Sequence, residues 1–283
     1  MRKHSARTIS KVDGCPENPK ILITPNLFFK ETRVRCHLIF IACASLISSL
    51  SQAAEVPENI AKAVAASERT DKDRERDASN HPVEFLTFAG VSPGMQIADV
   101  FGGAGYWTEL LARAVGPSGH VRLVNNPAYA TDRGIKPRFE NNRLSNTEVR
   151  VVETGDMKLG RNAFDMILIF MSYHDLYWED EKSLWPAINA AGFLDQLHAA
   201  LKPGGRLLIV DHAALAATKS AAAQTLHRID EEFAKRDIES HGFKLENTWD
   251  GYRNPSDDRS KNVFDPAIRG KTDRFTHMYR KRG

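Results

Sequence analysis

Asp99, followed by Gly102, Gly103 and Gly105, ends an apolar run and opens a helix-like segment, Tyr106-Trp-Thr-Glu-Leu-Leu-Ala-Arg-Ala114. A glycine turn at such a junction lets backbone N–H groups and a helix N-terminus approach a ligand closely. By itself the turn indicates a nucleotide-like ligand. Other polar residues fall at the ends of later apolar runs: Asn125-Asn126, Gly155-Asp156-Met157, Ser172-Tyr-His174-Asp175 and Asp211-His212. A histidine beside a carboxylate can accept or relay a proton. Asp175, Asp211 and His212 could also gather around a divalent ion, but no tight ligand spacing such as His-x-x-x-His supports this, and no metal is assigned.

The elements that must position these residues alternate regularly. Strands are expected near 95–101, 120–125, 148–153, 164–171 and 206–210, with two more near 243–249 and 273–280. Helices are expected near 104–115, 186–201 and 218–240, the last carrying Leu226, Ile229 and Phe233 on one face. On that long helix His227 and Arg228, near Asp230 and Glu231, could face the pocket, but they read first as part of a solvated face. A polar, helix-capable stretch fills 131–144, and Lys202-Pro-Gly-Gly205 reads as a tight turn. The nearly all-apolar run Phe164–Met171 suits a central strand covered on both faces. Strand–helix alternation of this kind predicts an α/β, doubly wound, mostly parallel sheet with helices on both faces. In such sheets the ligand lies beyond the carboxyl ends of the strands, which is where the polar residues above fall.

Before this domain, residues 58–90 are helical in pattern, and the mixed charge run Glu68–Asp77 reads as a solvated helix face or loop. The N-terminus reads as a leader. Lys30, Arg33 and Arg35 precede the apolar run His37–Leu50, and Ser51-Gln52-Ala53 supplies small residues for cleavage near Ala53. The run is too short for a comfortable membrane span, which needs about 20 apolar residues. The chain therefore divides into a leader at 1–53, N-terminal helices at 54–90 and an α/β domain at 91–283. A periplasmic or secreted product is expected, with no stable membrane insertion after cleavage. All three cysteines, Cys15, Cys36 and Cys43, lie in the leader, so a disulfide scaffold, a thiolate nucleophile and a cysteine-ligated zinc are excluded from the rest. The net charge of +3 also comes from the leader. Residues 1–54 hold 8 Lys and Arg against 3 Asp and Glu, which leaves 31 basic and 33 acidic side chains elsewhere. A near-neutral body gives no electrostatic reason to expect nucleic acid, and a small-molecule substrate is expected.

The pattern resembles the class I S-adenosylmethionine-dependent methyltransferases over residues 82–281. The resemblance rests on the turn Asp99–Gly105, the Gly155-Asp156 pair, the Phe164-Asp165 strand and Leu201-Lys-Pro-Gly-Gly205 before the fifth strand. The chain looks most like secreted bacterial members of that group. The resemblance implies a Rossmann-like seven-stranded sheet with the last strand inserted antiparallel, and S-adenosylmethionine as cofactor. It places the turn Gly102, Gly103 and Gly105 against the methionine part, with Asp99 acting on the ammonium side or ordering the loop. Asp156 would accept from the adenine amino group, with Met157 beside the ring. Where the family carries an acid for the ribose hydroxyls, this chain has Asn125, a loss of about 1–2 kcal/mol, or roughly tenfold in affinity. His174 would be a general base, Asp175 its orienting partner, and His212 a further catalytic group at the next strand end. Tyr173, Tyr177, Trp178 and Trp185 could wall a pocket for a flat or apolar acceptor methylated at oxygen or nitrogen.

Two other functions compete. A nicotinamide-dependent dehydrogenase needs a third glycine in Gly-x-Gly-x-x-Gly and an acid after the second strand, and this chain lacks both. A non-catalytic exported binding protein on the same fold is the alternative, favoured by the leader and by Asn125.

Overall fold

The computed structural model describes residues 55–130, 135–180 and 185–283. The expected leader and its cysteines lie outside the described residues. The described residues form one compact unit. It begins with three helices, α1 (Glu58–Ala65), α2 (Asp71–Asn80) and α3 (Pro82–Ala89). Strands β1 (Gln96–Val100), β2 (His120–Asn125), β3 (Thr147–Val151), β4 (Phe164–Phe170), β5 (Leu201–His212), β6 (Phe243–Thr248) and β7 (Arg274–Lys281) follow. Helices α4 (Tyr106–Val115), α5 (Ile135–Phe139), α6 (Ala190–Ala200), α7 (Ala221–Leu226) and α8 (Glu231–Ser240) lie between them.

The seven strands form one sheet in the order β3-β2-β1-β4-β5-β7-β6. β1 to β5 are parallel, and β7 runs antiparallel between β5 and β6. This is the expected Rossmann-like architecture. Strand order reverses between β1 and β4, so a crevice is expected above their carboxyl ends. Side chains alternate across the sheet with period two. Ala98, Val100, Ile167 and Ile209 face one core, with Phe193 and Leu197 of α6 and Ile238 of α8. Ile97, Met166, Leu168 and Leu208 face the other, with Ile60 of α1, Phe85 of α3 and Leu110 of α4. Burial on both faces explains why β4 reads as an unbroken apolar run.

Two expectations are corrected. The charge run at 68–77 is solvated on one side only, with Glu68, Asp71, Lys72, Glu75 and Arg76 exposed. Arg69 and Asp73 are buried, Arg69 forms a two-point ion pair with Asp77 at 2.6–2.7 Å, and the Tyr106 hydroxyl donates to Asp77 at 2.6 Å. Arg138 binds Asp73, Glu109 of α4 and the Ala104 carbonyl together. Its charges dock α2 onto the glycine turn.

The expected helix 218–240 is broken. His227 takes a left-handed φ of 52° and ends α7, while the Asp230 carboxylate accepts from Glu232 and Phe233 N–H groups and starts α8. Between them Ile229 bridges Ala213 beside the sheet. Leu226, Ile229 and Phe233 keep helical spacing through the break, so periodicity alone could not show it. Arg228 is consequently not on a solvated face. It is fully buried, paired at two points with Asp257 at 2.8 and 3.1 Å, and donates to the Ala213 and Lys261 carbonyls. Removing one partner of a buried pair costs about 3–5 kcal/mol, because the other charge is left uncompensated. Arg228→Ala is expected to lose that much in urea denaturation; a loss under about 1 kcal/mol would show that the pair does not hold the break.

Candidate active site

The site is built on the carboxyl ends of β1, β2, β4 and β5. At the end of β1 Asp99 is fully buried and accepts from the Thr108 hydroxyl of α4 at 2.6 Å. Its other oxygen, Oδ1, is buried without a partner among the described residues. A Cβ on Gly102 would lie 2.3 Å from the Asp99 carboxylate, so only glycine fits above it. Asp99 therefore orders the turn from beneath. Burial raises its pKa to about 6, against the Thr108 hydrogen bonds that lower it.

Asn125 of β2 faces the same turn. Its side-chain oxygen accepts from Gly103 N–H at 3.1 Å, and its amide nitrogen donates to the Gly103 carbonyl at 2.9 Å. Both ends of the amide are spent on the turn. Asn125 thereby clamps the backbone of the turn, a role an aspartate could fill only on its acceptor side. Gly103 itself has φ +59°, and the first atom a Cβ there would meet is the Tyr129 ring, 3.8 Å away. Gly105, at φ +80°, caps α4.

An aromatic layer covers this edge. Phe101 stacks on Tyr129 and Phe193 with centroids 5.4 Å apart, and Trp185 packs on Phe101 and Tyr129 at 5.5 and 5.3 Å. Phe101 and Met171 both hold φ of +57°, at the ends of β1 and β4. Non-glycine residues in that region cost on the order of 1–3 kcal/mol, and such strain concentrates at functional sites. Met157 is buried in the same apolar cluster, its N–H spent on Gln196 at 2.8 Å. Asp156 is exposed and paired with Lys158. Tyr173 and Tyr177 both donate to Asp237 and belong to the core side, while Trp185 donates to the Asp175 carbonyl at 3.0 Å. Of the four expected wall residues, Trp178 packs beside His227, one of the histidines described next.

After β4, His174 and Asp175 open a 3-10 turn, His174–Tyr177. The His174 ring is held on both sides: Nδ1 lies 2.7 Å from Asp211 and Nε2 3.3 Å from Asp175. The His174 N–H also donates to Asp211 at 2.6 Å. Burial disfavours the imidazolium, yet the carboxylates of Asp211 and Asp175 outweigh it and raise the pKa to about 9. A ring that holds its proton at neutral pH does not act as a general base, so the expected role of His174 is corrected. Asp175 is held below its usual range: burial pushes it up, and His174, His227 and Tyr129 outweigh that. The Tyr129 hydroxyl donates to Asp175 at 2.8 Å. Tyr129 thus spans the glycine turn and the acidic cluster.

His212, at the end of β5, is the opposite case. Its Nδ1 lies 2.7 Å from the Thr272 hydroxyl, and Nε2 has no hydrogen-bond partner among the described residues. Burial and the positive charges of His174, Arg274 and Arg228 lower its pKa well below the ordinary value. It is the neutral imidazole of the site, 5.9 Å between ring centroids from His174. His227, placed by the sequence on a solvated face in preference to the pocket, is brought in by the helix break. Its ring packs edge-on to His174 at 5.5 Å and beside Trp178 at 5.3 Å. The signal that could have found it was Asp230, a capping residue placed mid-helix.

The family described as "Methyltransferase domain" matches residues 91–282, about two thirds of the chain. The chain belongs to this methyltransferase family. Its cofactor is S-adenosylmethionine. Ubiquinone/menaquinone biosynthesis C-methyltransferases UbiE are similar to it: that of Hahella chejuensis is 27% identical over 123 residues, and that of Pseudomonas paraeruginosa 28% over 126 residues. Each match covers 44% of this methyltransferase and 45% of the relative, so the chain spans less than half the length of these curated relatives. Among solved structures, a SAM-dependent methyltransferase from Aquifex aeolicus superimposes with a TM-score of 0.54 at 18% identity, covering 75% of this chain and all of that one. An arsenic(III) S-adenosylmethionine methyltransferase from Chlamydomonas reinhardtii gives 0.50 at 15% identity, over 80% and 74% of the two chains. At these identities the structures establish the shared fold.

The raised pKa of Asp99 fixes a pH dependence of this methyltransferase's stability. The folded state binds a proton more tightly than the unfolded chain, whose aspartate pKa is about 3.9. Asp99's contribution is therefore fully present below pH 4 and is lost as pH rises to about 6, a change of roughly 3 kcal/mol. Asp99→Asn is expected to gain stability over wild type at pH 7 and to lose that advantage at pH 4, read from denaturation midpoints at the two pH values. An advantage independent of pH would show that Asp99 is ionised throughout.

Proposed function

We propose that this protein methylates a small acceptor carrying an acidic proton, at oxygen or nitrogen, with His212 as the general base. One observation carries the reading: Tyr129 joins the glycine turn of β1 to the histidine–carboxylate cluster after β4, so the cofactor turn and the proton-handling groups share one edge. Two features fit S-adenosylmethionine there. Gly103 leaves its outer face open to within 3.8 Å of the Tyr129 ring, and Asp99 holds a buried oxygen without a partner. The turn at Gly102, Gly103 and Gly105 would hold the methionine part with Asp99 beneath it, and Asp156, exposed beside its Lys158 partner, would accept from the adenine amino group. Asn125 serves by fixing Gly103 rather than by holding the ribose. Met157 supports the adenine side from within the core.

When bound, S-adenosylmethionine supplies a methyl group already activated on a sulfonium. The chain's remaining task is to align the acceptor and remove its proton. His212 takes the proton on Nε2 while Thr272 fixes the ring through Nδ1. His174, with both nitrogens engaged, orients Asp175 and keeps the edge positively charged against the acceptor's developing anion. Trp178, beside His227, supplies a flat apolar wall. The UbiE relatives are named as C-methyltransferases, and a carbon acceptor that must lose a proton would call on the same base.

Calorimetry with the purified chain tests the cofactor assignment: micromolar binding of S-adenosylmethionine is expected, and silence would remove it. His212→Ala is expected to keep that affinity within about twofold and lower methyl transfer by roughly 10²–10⁴, the usual span for a general base. A panel of phenolic and amine-bearing aromatic acceptors provides the assay. Equal loss of binding and turnover would defeat the role of His212. We further propose export, supported by the charge, apolar core and small-residue layout before Ala54. Mass spectrometry of the mature product should find its N-terminus near residue 54; a product beginning at Met1 would refute cleavage.

A further inference from the structure

We propose that His174, Asp175 and His227 form a binding site for one divalent first-row transition-metal ion. The ligand atoms are His174 Nε2, Asp175 Oδ1 and His227 Nδ1, all within 4.8 Å of one another. Asp175 Oδ1 lies 3.3 Å from His174 Nε2 and 3.8 Å from His227 Nδ1. An ion about 2.0–2.2 Å from each ligand needs neighbouring ligands about 3.3–3.5 Å apart in tetrahedral geometry. The Asp175–His174 pair already stands at that spacing, the Asp175–His227 pair is a few tenths of an ångström wider, and the two imidazoles lie within 4.8 Å of each other.

The surroundings are those of a supported metal site. A metal-bound histidine usually donates its other ring nitrogen to a carboxylate, which fixes the tautomer. His174 Nδ1 meets Asp211 at 2.7 Å, and Asp211 is held in turn by the N–H groups of His174 and His212. The second oxygen of Asp175 accepts from Tyr129 at 2.8 Å. His227 is locked by its left-handed backbone and by packing against Trp178 and Phe264, at 5.3 and 4.9 Å. Its side chain is 17% exposed, which leaves an entry from solvent.

Charge points the same way. Asp175 and Asp211 are buried, and among the described residues neither has a lysine or arginine partner. A dication would displace the proton that His174 otherwise holds between these carboxylates, and would balance both of them with the two imidazoles neutral. Two nitrogens and one oxygen favour zinc, iron, cobalt or nickel over calcium or magnesium. Three protein ligands leave at least one position for an oxygen, nitrogen or sulfur donor from outside. The set joins residues 174, 175 and 227 across a helix break, so no short spacing in the sequence announces it.

The proposal goes beyond methyl transfer, and its test does not use turnover. The full chain, without a histidine tag and stripped by chelator, is titrated with Co²⁺ and followed by visible absorption, then with Zn²⁺ as competitor. One Co²⁺ per chain is expected, with ligand-field bands lost on adding one equivalent of Zn²⁺. His227→Ala is expected to weaken binding at least a hundredfold, and Asp211→Asn, which supports a ligand without touching the ion, by about 10–100-fold. Should His227→Ala fail to fold, His227→Gln must show the same loss. Absence of stoichiometric binding, or full affinity in the His227 variant, would overturn the site. S-adenosylmethionine binding measured on the same samples separates this outcome from failure of the cofactor assignment.

Discussion

The buried carboxylate of Asp99 is the constraint on which the upper edge of the sheet depends. It sits at the end of β1, fully enclosed, tied to Thr108 in the first turn of α4. That contact fixes the angle between strand and helix, and the space it takes dictates glycine at 102. Asn125 then clamps Gly103 from β2, and Arg138 holds the Ala104 carbonyl from the other side. The turn is thus held by a carboxylate below, an amide beside it and a guanidinium beyond. A burial that raises an aspartate's pKa to about 6 costs stability, and a shaped turn is what it yields.

The same arginine explains why the N-terminal helices belong to the site's support. Arg138 reaches Asp73 of α2 and Glu109 of α4 while it holds the turn. Glu109 is almost wholly buried and is shared with Arg113 and Arg143. Isolated surface pairs contribute little, but a buried cluster with several partners per charge loses much when one member goes. Helix α2 is nearly devoid of apolar residues, so its docking rests on this network rather than on a hydrophobic face.

Much of the architecture was legible. Apolar runs gave the strands, and polar residues at their ends marked the right edge, because parallel strands buried on both faces leave chemistry nowhere else to sit. What escaped were contacts set by tertiary placement. Composition made α2 look solvated, since nothing local shows that Arg69 and Asp73 have buried partners. The break at 227–230 was hidden because Ile229 kept helical spacing while serving a bridge to Ala213. Asn125 looked like a lost charge, and only the two bonds to Gly103 show why an amide suits the position.

The division of labour between the two strand-end histidines follows from which charges the fold puts near each. His174 lies between Asp175 and Asp211, so its ring nitrogens are both committed, whether to a proton or to an ion. His212 lies one strand end further, where Arg274 and Arg228 approach and Thr272 takes a single nitrogen. The positive charge held at His174 is itself one cause of His212's neutrality. The arrangement therefore couples the two: carboxylates gathered on His174 leave His212 uncharged, with an open nitrogen at the edge where an acceptor must lose its proton. A sequence shows two histidines at equivalent strand ends; their opposite chemistry comes from Asp211 turning toward one ring and the helix break bringing Arg228 toward the other.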